Sequence, residues 1–296
     1  MTQEATGYKV GLVGSGHIAM KEHLPGAITA GGEVIAVADT APGVAAQKAA
    51  GFGIAHAYDN AEDLIANPEV DVVAICTPAE AHREVALAAI AAGKHVFMEK
   101  PPTTSAAEIR EVAAAAKAKG VALIAGSHHP YRENVTELKN RIAGGEFGQV
   151  YAVDCFKLRR DACPADRGNV KRRGGAGSGS SVHRIDVSLY LLGNPKVKSV
   201  TARTYHYFSS AKGEAAGCTP TGLVDDAVLA TIHFENGCTL TLRDIHNAHM
   251  AEPNFMQCWF GEITLFGTLA GAQLHPLTIY QNQSDGSQRV DVPLVN

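Results

Sequence analysis

No two cysteines of this chain form a C-x-x-C pair. The six, Cys76, Cys155, Cys163, Cys218, Cys238 and Cys258, are scattered, which argues against a zinc site or a secreted disulfide framework and reads as reduced cytoplasmic thiols. No apolar run reaches the roughly 18 residues that a membrane-crossing helix needs, and Met1 to Lys9 lacks the apolar stretch of a signal peptide. Positive charge is not in excess: 26 Lys and Arg face 30 Asp and Glu, the formal net charge is −4, and the pI is about 6.3. That excludes a global basic field for nucleic acid or an anionic membrane. The pairs His128/His129 and His246/His249 have no grouped third ligand, so no metal is expected. What remains is a soluble globular chain of 296 residues, 46% hydrophobic, long for one core and comfortable for two domains.

The informative stretch lies at the head of the chain, in Val10-Gly11-Leu12-Val13-Gly14-Ser15-Gly16-His17-Ile18-Ala19. Tyr8 to Val13 reads as a strand and Gly16 to about Ala30 as the helix it feeds. Gly14, Gly16 and Ala19 match G-x-G-x-x-A. Gly14 permits a tight turn, Gly16 lets backbone N–H groups approach a pyrophosphate, and Ala19 lets helix and strand pack closely. The helix N-terminus then offers its unpaired N–H groups to the phosphates. Glu33 to Ala38 is a second strand ending at Asp39, 25 residues after Gly14, a little beyond the usual spacing of about 20 for the ribose acceptor. Thr40, Ala41 and Pro42 supply no Arg or Lys for a 2′-phosphate, which favours NAD over NADP. Asp39 as a helix N-cap is compatible with that role.

Val70 to Cys76 is a nearly continuous apolar run, as a strand buried on both faces requires. Thr77-Pro78 ends it, and Glu80 to Ala92 is the next helix. His95 to Met98 is a strand followed by Glu99-Lys100-Pro101. Ser105 and Glu108 form a capping box opening a helix with Ile109, Val112, Ala113 and Ala116 on one face, and Val121 to Ala125 closes the set. Alternating strands and helices predict a doubly wound parallel sheet of Rossmann type over residues 1–125. Gly14, Asp39, Thr77 and Lys100 then fall at the carboxyl ends of strands, where such sheets bind ligands.

From 126 onward the rhythm changes. Asn134 to Ile142 reads as a helix, Val150 to Phe156 as a strand, and a helix containing His183 runs to Leu192. Long strand-like runs follow at Val197–Phe208, Asp226–Phe234, Cys238–Ile245 and Gln257–Leu265, with an Asn236-Gly237 hairpin turn between two of them. Residues 126–296 are therefore expected to form an α+β domain with a large, mostly antiparallel open sheet. Between Lys157 and Arg173 seven bases cluster, which reads either as a solvated loop or as an anion-reading lid.

Several motifs in order carry a family resemblance: Gly14-Ser15-Gly16-His17-Ile18-Ala19, Thr77-Pro78 with His82, Ala92-Gly93-Lys94-His95-Val96, Glu99-Lys100-Pro101, Gly174-Gly175-Ala176-Gly177 with His183-Arg184-Ile185-Asp186, and Phe266-Gly267-Thr268 with Gly271-Ala272. Over nearly its whole length the chain resembles the glucose–fructose oxidoreductase, inositol dehydrogenase and rhizopine-catabolism (Gfo/Idh/MocA) family. The resemblance implies an NAD(P)-dependent oxidoreductase that moves a hydride between nicotinamide and a secondary hydroxyl or ketone of a sugar, polyol or sugar acid. It implies Lys100 beside the nicotinamide and His183 as general acid/base. Cofactor contacts are expected from Gly14, Ser15, Gly16, His17, Ile18, Asp39, Thr77, Pro78, His82, Glu99 and Lys100. Substrate contacts are expected from Lys100, His128, Arg160, Arg172, His183 and Asp186. It also implies a homodimer or homotetramer built through the second sheet. A glycoside-cleaving enzyme that retains NAD, and a sugar- or nucleotide-sensing regulator without turnover, are the competing readings.

Three departures stand out. The family often has an Asp four residues before the histidine, where this chain has Gly179, and Asp186 at i+3 is the nearest substitute. Gly126-Ser127-His128-His129-Pro130-Tyr131 replaces an Asn-Arg-Arg-Phe-like stretch. The sequence stops at Val295-Asn296, ahead of the last strand and helix that the resemblance implies, so the chain is either naturally short or truncated.

Overall fold

The structure, a computed structural model, describes residues 7–158, 176–207, 225–246 and 262–293. The chain divides into two compact units, Met1–Gly126 and Ser127–Asn296. In the first, β1 (Lys9–Val13), β2 (Glu33–Ala38), β3 (His56–Tyr58), β4 (Val72–Ile75), β5 (His95–Glu99) and β6 (Leu123–Gly126) form one sheet in the order β3-β2-β1-β4-β5-β6. Every pairing is parallel. The strands read as apolar runs because helices cover both faces, so Leu12, Val37, Val73, Ile75 and Met98 are all fully buried. The helices are α1 (Leu24–Thr29), α2 (Val44–Phe52), α3 (Ala61–Ala66), α4 (Ala79–Ala91) and α5 (Ala106–Lys119).

Two local details differ from expectation. Ser105 Oγ accepts from Glu108 N at 3.3 Å, but Glu108 returns its carboxylate to Thr104, N and Oγ1, at 3.0 and 2.8 Å, not to Ser105. On the same helix Ala113 is exposed, and Val112 and Ala116 carry the buried face. Ahead of α1 the backbone is a π-helix, Ala19–His23. Pro25 accounts for it: proline cannot donate to a carbonyl one turn back and clashes there, and a widened turn relieves the clash.

The second unit holds α6 (Glu133–Ala143), α7 (Val182–Leu192) and strands β7 (Val150–Leu158), β8 (Val197–Tyr205), β9 (Ala227–Phe234), β10 (Thr239–Ile245), β11 (Glu262–Gly267), β12 (Gly271–Leu274), β13 (Leu277–Asn282) and β14 (Gln288–Asp291). Its sheet runs β14-β13-β12-β11-β7-β10-β9-β8. It is antiparallel except for the parallel β10–β7 pair. Alternation sorts its faces. Val153, Cys155, Leu240, Leu242, Ile263 and Leu265 pack inward with Val135, Leu138, Val187 and Leu191 of the two helices. The other face, through register, carries Asp154, Thr231, Thr241, Thr264 and Arg243 together with Phe156, Leu229 and Phe266, so it mixes polar and apolar side chains. The hairpin at Asn236-Gly237 joins β9 to β10, with Gly237 at φ 86°. Phe208 and 257–261, parts of expected strands, lie outside the described residues, as does nearly all of the basic run, including Arg160 and Arg172.

Candidate active site

At the head of the first sheet, Gly14 takes φ +89°, and a Cβ there would sit 2.9 Å from the Cys76 carbonyl carbon and oxygen. The position therefore demands glycine twice over, by backbone conformation and by contact. Gly16 is different. Nothing lies within 4 Å of its would-be Cβ, and residues 16–18 are exposed, which leaves open space before the start of the helix. That cradle fits a pyrophosphate, which needs close backbone approach and no side chain in the way.

Asp39, just past β2, is held as an acceptor. Its Oδ2 accepts from Ser15 Oγ at 2.6 Å and Ser15 N at 3.1 Å, and Oδ1 accepts from Ala41 N at 3.0 Å. Burial works against its charge. The bonds from the Ser15 hydroxyl and the Ala41 and Ser15 backbone, with the charge of Lys48, outweigh that and hold the carboxyl below the usual carboxylate range. Ser15 itself, expected as a cofactor contact, is buried, and both its hydroxyl and its N–H are turned to Asp39. His17 and Ile18 are exposed on the turn that follows.

Thr77 and Pro78 follow β4, and the Thr77 hydroxyl is buried without a hydrogen-bond partner among the described residues. His82, expected among the cofactor contacts, is 1% exposed. The Thr77 carbonyl accepts from its Nε2 at 2.7 Å, and the Pro101 and Pro102 carbonyls lie 3.1 and 3.2 Å from Nδ1. Both ring nitrogens are engaged with backbone, so His82 ties the turn after β4 to the turn after β5. That is a correction of its expected role.

Lys100 sits in the second of those turns, ahead of a cis bond to Pro101. Its N–H donates to Glu99 Oε2 at 2.9 Å, while Glu99 Oε1 accepts from His23 Nε2 at 2.8 Å. Glu99 is largely buried, which opposes its charge, yet the bonds from His23 and Lys100 N and their charges keep its pKa low. Among the described residues no hydrogen-bond partner meets Lys100 Nζ. The sequence reading missed His23, and its helical setting offered no signal of a partner 76 residues away.

The second unit gathers three imidazoles. The His129 ring centroid lies 4.4 Å from that of His128 and 4.3 Å from that of His183, and His128 to His183 is 6.1 Å. A small pocket beside them is lined by His129, Arg132, His183 and His275 over Val187 and Leu274. Burial, with the charges of His183 and His128, pushes His129 down to about 2, and burial pushes His275 down to about 4. Both stay neutral at working pH. His183 is set by its helix start. Ser181 Oγ donates to the Ala176 carbonyl at 2.8 Å and to Asp244 Oδ2 at 3.1 Å. Arg184 pairs with Asp244, both buried. Asp186 accepts from Ser127 Oγ at 2.5 Å. Gly179 contributes no side chain, and the structure spends Asp186 on the segment that carries His128 and His129. Among the described residues no three His, Cys, Asp or Glu side chains are grouped to hold a metal, and no helix is long and apolar enough to cross a membrane.

A doubly wound parallel sheet whose carboxyl edge carries an open glycine turn and a fixed acidic acceptor is the architecture of a dinucleotide-binding domain. Comparison with known proteins makes the assignment specific. Residues 8–127 match the oxidoreductase family described by its NAD-binding Rossmann fold, and residues 139–276 match that family's C-terminal alpha/beta domain. The chain belongs to the Gfo/Idh/MocA family of NAD-binding oxidoreductases. It is 30% identical over 283 residues to D-glucoside 3-dehydrogenase of Escherichia coli strain K12, covering 93% of this chain and 79% of that one. To 1,5-anhydro-D-fructose reductase of Ensifer adhaerens it is 32% identical over 252 residues, covering 83% and 71%. An NAD-binding protein from Listeria innocua shares the fold, with a TM-score of 0.78 and 24% identity over 98% of this chain and 82% of that one. Dehydrogenase and reductase names among the relatives favour an oxidoreductase over the glycoside-cleaving and non-catalytic readings.

Proposed function

We propose that this oxidoreductase acts on a secondary hydroxyl, or the corresponding ketone, of a sugar, polyol or sugar acid. The observation that carries the reading is the construction around Lys100: an ammonium at the carboxyl edge of the sheet that binds the dinucleotide, its backbone fixed on one side by Glu99 and on the other by His82. Bound NAD supplies the hydride acceptor at nicotinamide C4. Gly14, Gly16 and the helix start receive its phosphates, and Asp39 takes a ribose hydroxyl. Lys100 donates to the oxygen of the reacting carbinol, which orients the C–H bond and stabilises charge as a carbonyl forms. The family resemblance gives the hydroxyl proton to His183, an imidazole being the side chain best suited to take it. Neutral His129 against it adds no positive charge to oppose that gain.

The names of the two relatives support glucosides and anhydro sugars as first substrates. The basic run with Arg160 and Arg172 supports an anionic variant, a sugar acid. Homo-oligomerisation through the second sheet and a cytoplasmic setting, with Cys76 and Cys155 thiols pushed up to about 12 by burial, complete the reading. The test is NADH formation across D-glucosides, anhydro sugars, inositols and sugar acids, with Lys100→Met as control. Turnover on at least one neutral or acidic sugar, lowered by orders of magnitude in Lys100→Met, is expected. Equal turnover in Lys100→Met removes the lysine from the mechanism.

A further inference from the structure

The fingerprint helix reaches across the sheet edge to the Lys100 turn. His23 is the last residue of the Ala19–His23 π-helix. The wider register is closed by Leu24 N donating to the Ala19 carbonyl, and it carries His23 toward β5. There the strand's alternation places Phe97 and Glu99 on one face. The His23 ring meets Phe97 edge-on, with centroids 5.2 Å apart at 64°, and its Nε2 bonds Glu99 Oε1 at 2.8 Å. The two side chains are 15% and 13% exposed, so water competes little for this contact and its geometry is held by packing as well as by charge. The second Glu99 oxygen accepts the Lys100 N–H at 2.9 Å. One carboxylate thus joins a helix side chain to the backbone of the lysine. Without His23, Glu99 loses the hydrogen bond that most offsets its burial, and a carboxylate unanchored on that side no longer fixes the Lys100 amide.

We propose that His23 is a positioning residue for Lys100, acting through Glu99. The inference rests on the reading of Lys100 as the group that binds the reacting hydroxyl. In that geometry a displacement of about 1 Å lowers turnover on the order of 10²-fold. NAD binding stays unaffected, because the glycine turn and Asp39 hold the dinucleotide independently.

The test compares His23→Leu, which removes the donor, with His23→Gln, whose amide nitrogen can stand where Nε2 stands. Three quantities are read: kcat on the best sugar of the panel, the Kd for NAD, and hydrogen exchange at the Lys100 amide. Expected for His23→Leu are kcat lowered on the order of tenfold or more, an unchanged NAD Kd, and faster exchange at Lys100. His23→Gln restores both kcat and protection. Should His23→Leu fail to fold, His23→Asn against His23→Gln carries the comparison, because the Asn amide is too short to reach Glu99. Wild-type kcat and exchange in the donor-less variant, with Lys100→Met inactive, overturns the inference alone. Equal loss in both variants overturns it too, by assigning the effect to ring packing on Phe97. Full activity of Lys100→Met overturns instead the reading on which the inference stands. If no sugar turns over, amide exchange decides: unchanged protection of Lys100 in His23→Leu overturns the proposal.

Discussion

Ser15 gives Asp39 two hydrogen bonds to one oxygen, from Oγ at 2.6 Å and from N at 3.1 Å. A residue inside the glycine turn therefore fixes the carboxylate that follows β2. Ser15→Ala removes the shorter bond and lets Asp39 rotate. A hydrogen bond to a charged group contributes about 1.5–3 kcal/mol, so Asp39→Ala is expected to weaken NAD binding by roughly 10- to 150-fold. Ser15→Ala falls between that variant and wild type. Titration of NAD by protein fluorescence checks this; wild-type affinity in both would remove Asp39 from the site.

The two glycines of the turn should fail in different ways. Gly14→Ala puts a Cβ 2.9 Å from the Cys76 carbonyl at φ +89°, and is expected to cost about 1–3 kcal/mol of stability as well as NAD binding. Gly16→Ala meets nothing within 4 Å in the protein. It should melt like wild type yet lose NAD affinity on the order of tenfold, about 1.4 kcal/mol. Calorimetry with and without NAD separates the two. A stability loss in Gly16→Ala equal to that of Gly14→Ala would mean that the space before the helix is not a cradle.

Under α7, Arg184 and Asp244 are 2% and 0% exposed and paired. Removing one partner leaves a buried charge, so Arg184→Met or Asp244→Asn is expected to cost about 3–5 kcal/mol by urea denaturation. Arg184→Met with Asp244→Leu should recover much of that. A loss below about 1 kcal/mol in the single variants would show a solvated pair.

Acid stability follows from His129 and His275, lowered to about 2 and about 4. In the unfolded chain both bind protons near pH 6.5, while the folded protein refuses them. Their contribution to stability is full above about pH 6.5 and declines as pH falls, for His275 toward about 4 and for His129 further. The slope reaches up to two protons between those limits. Thermal melts from pH 8 to pH 4 should show it, and His275→Gln should flatten it by up to one proton. A flat profile in the wild type would contradict burial of either ring in neutral form.

Most of the first sheet was legible because parallel strands covered on both faces leave near-continuous apolar runs, as in Val72–Ile75, and because Gly14, Gly31, Gly93 and Gly120 punctuate it. The segment between Asp39 and Val70 gave no such signal. α2 is alanine- and glycine-rich with a Gly43 cap in place of a side-chain cap, and β3 is three residues long. In the second unit, strand existence is legible in long β-branched runs, and β14, an edge strand with Gln288, Arg289 and Val290 exposed, is not. The site divides the same way. Gly14, whose type the backbone dictates, and Asp39 and Lys100, which stand at the ends of readable strands, are visible locally. His23, Ser127 and Asp244 act through partners 59 or more residues away, and only the fold brings those together. His82 was noticed for its motif, but its burial, and with it its role, could be seen only in three dimensions.

The most direct test of the account is the fate of the carbinol hydrogen. A sugar found active in the panel is deuterated at its oxidised carbon and turned over with NAD, and the reduced nicotinamide is analysed by mass spectrometry. The account predicts deuterium in the NADH in one-to-one yield with ketone product, and on the order of 10²-fold slower formation of both in Lys100→Met. Deuterium lost to water, or a free aglycone released without net NADH, would contradict it.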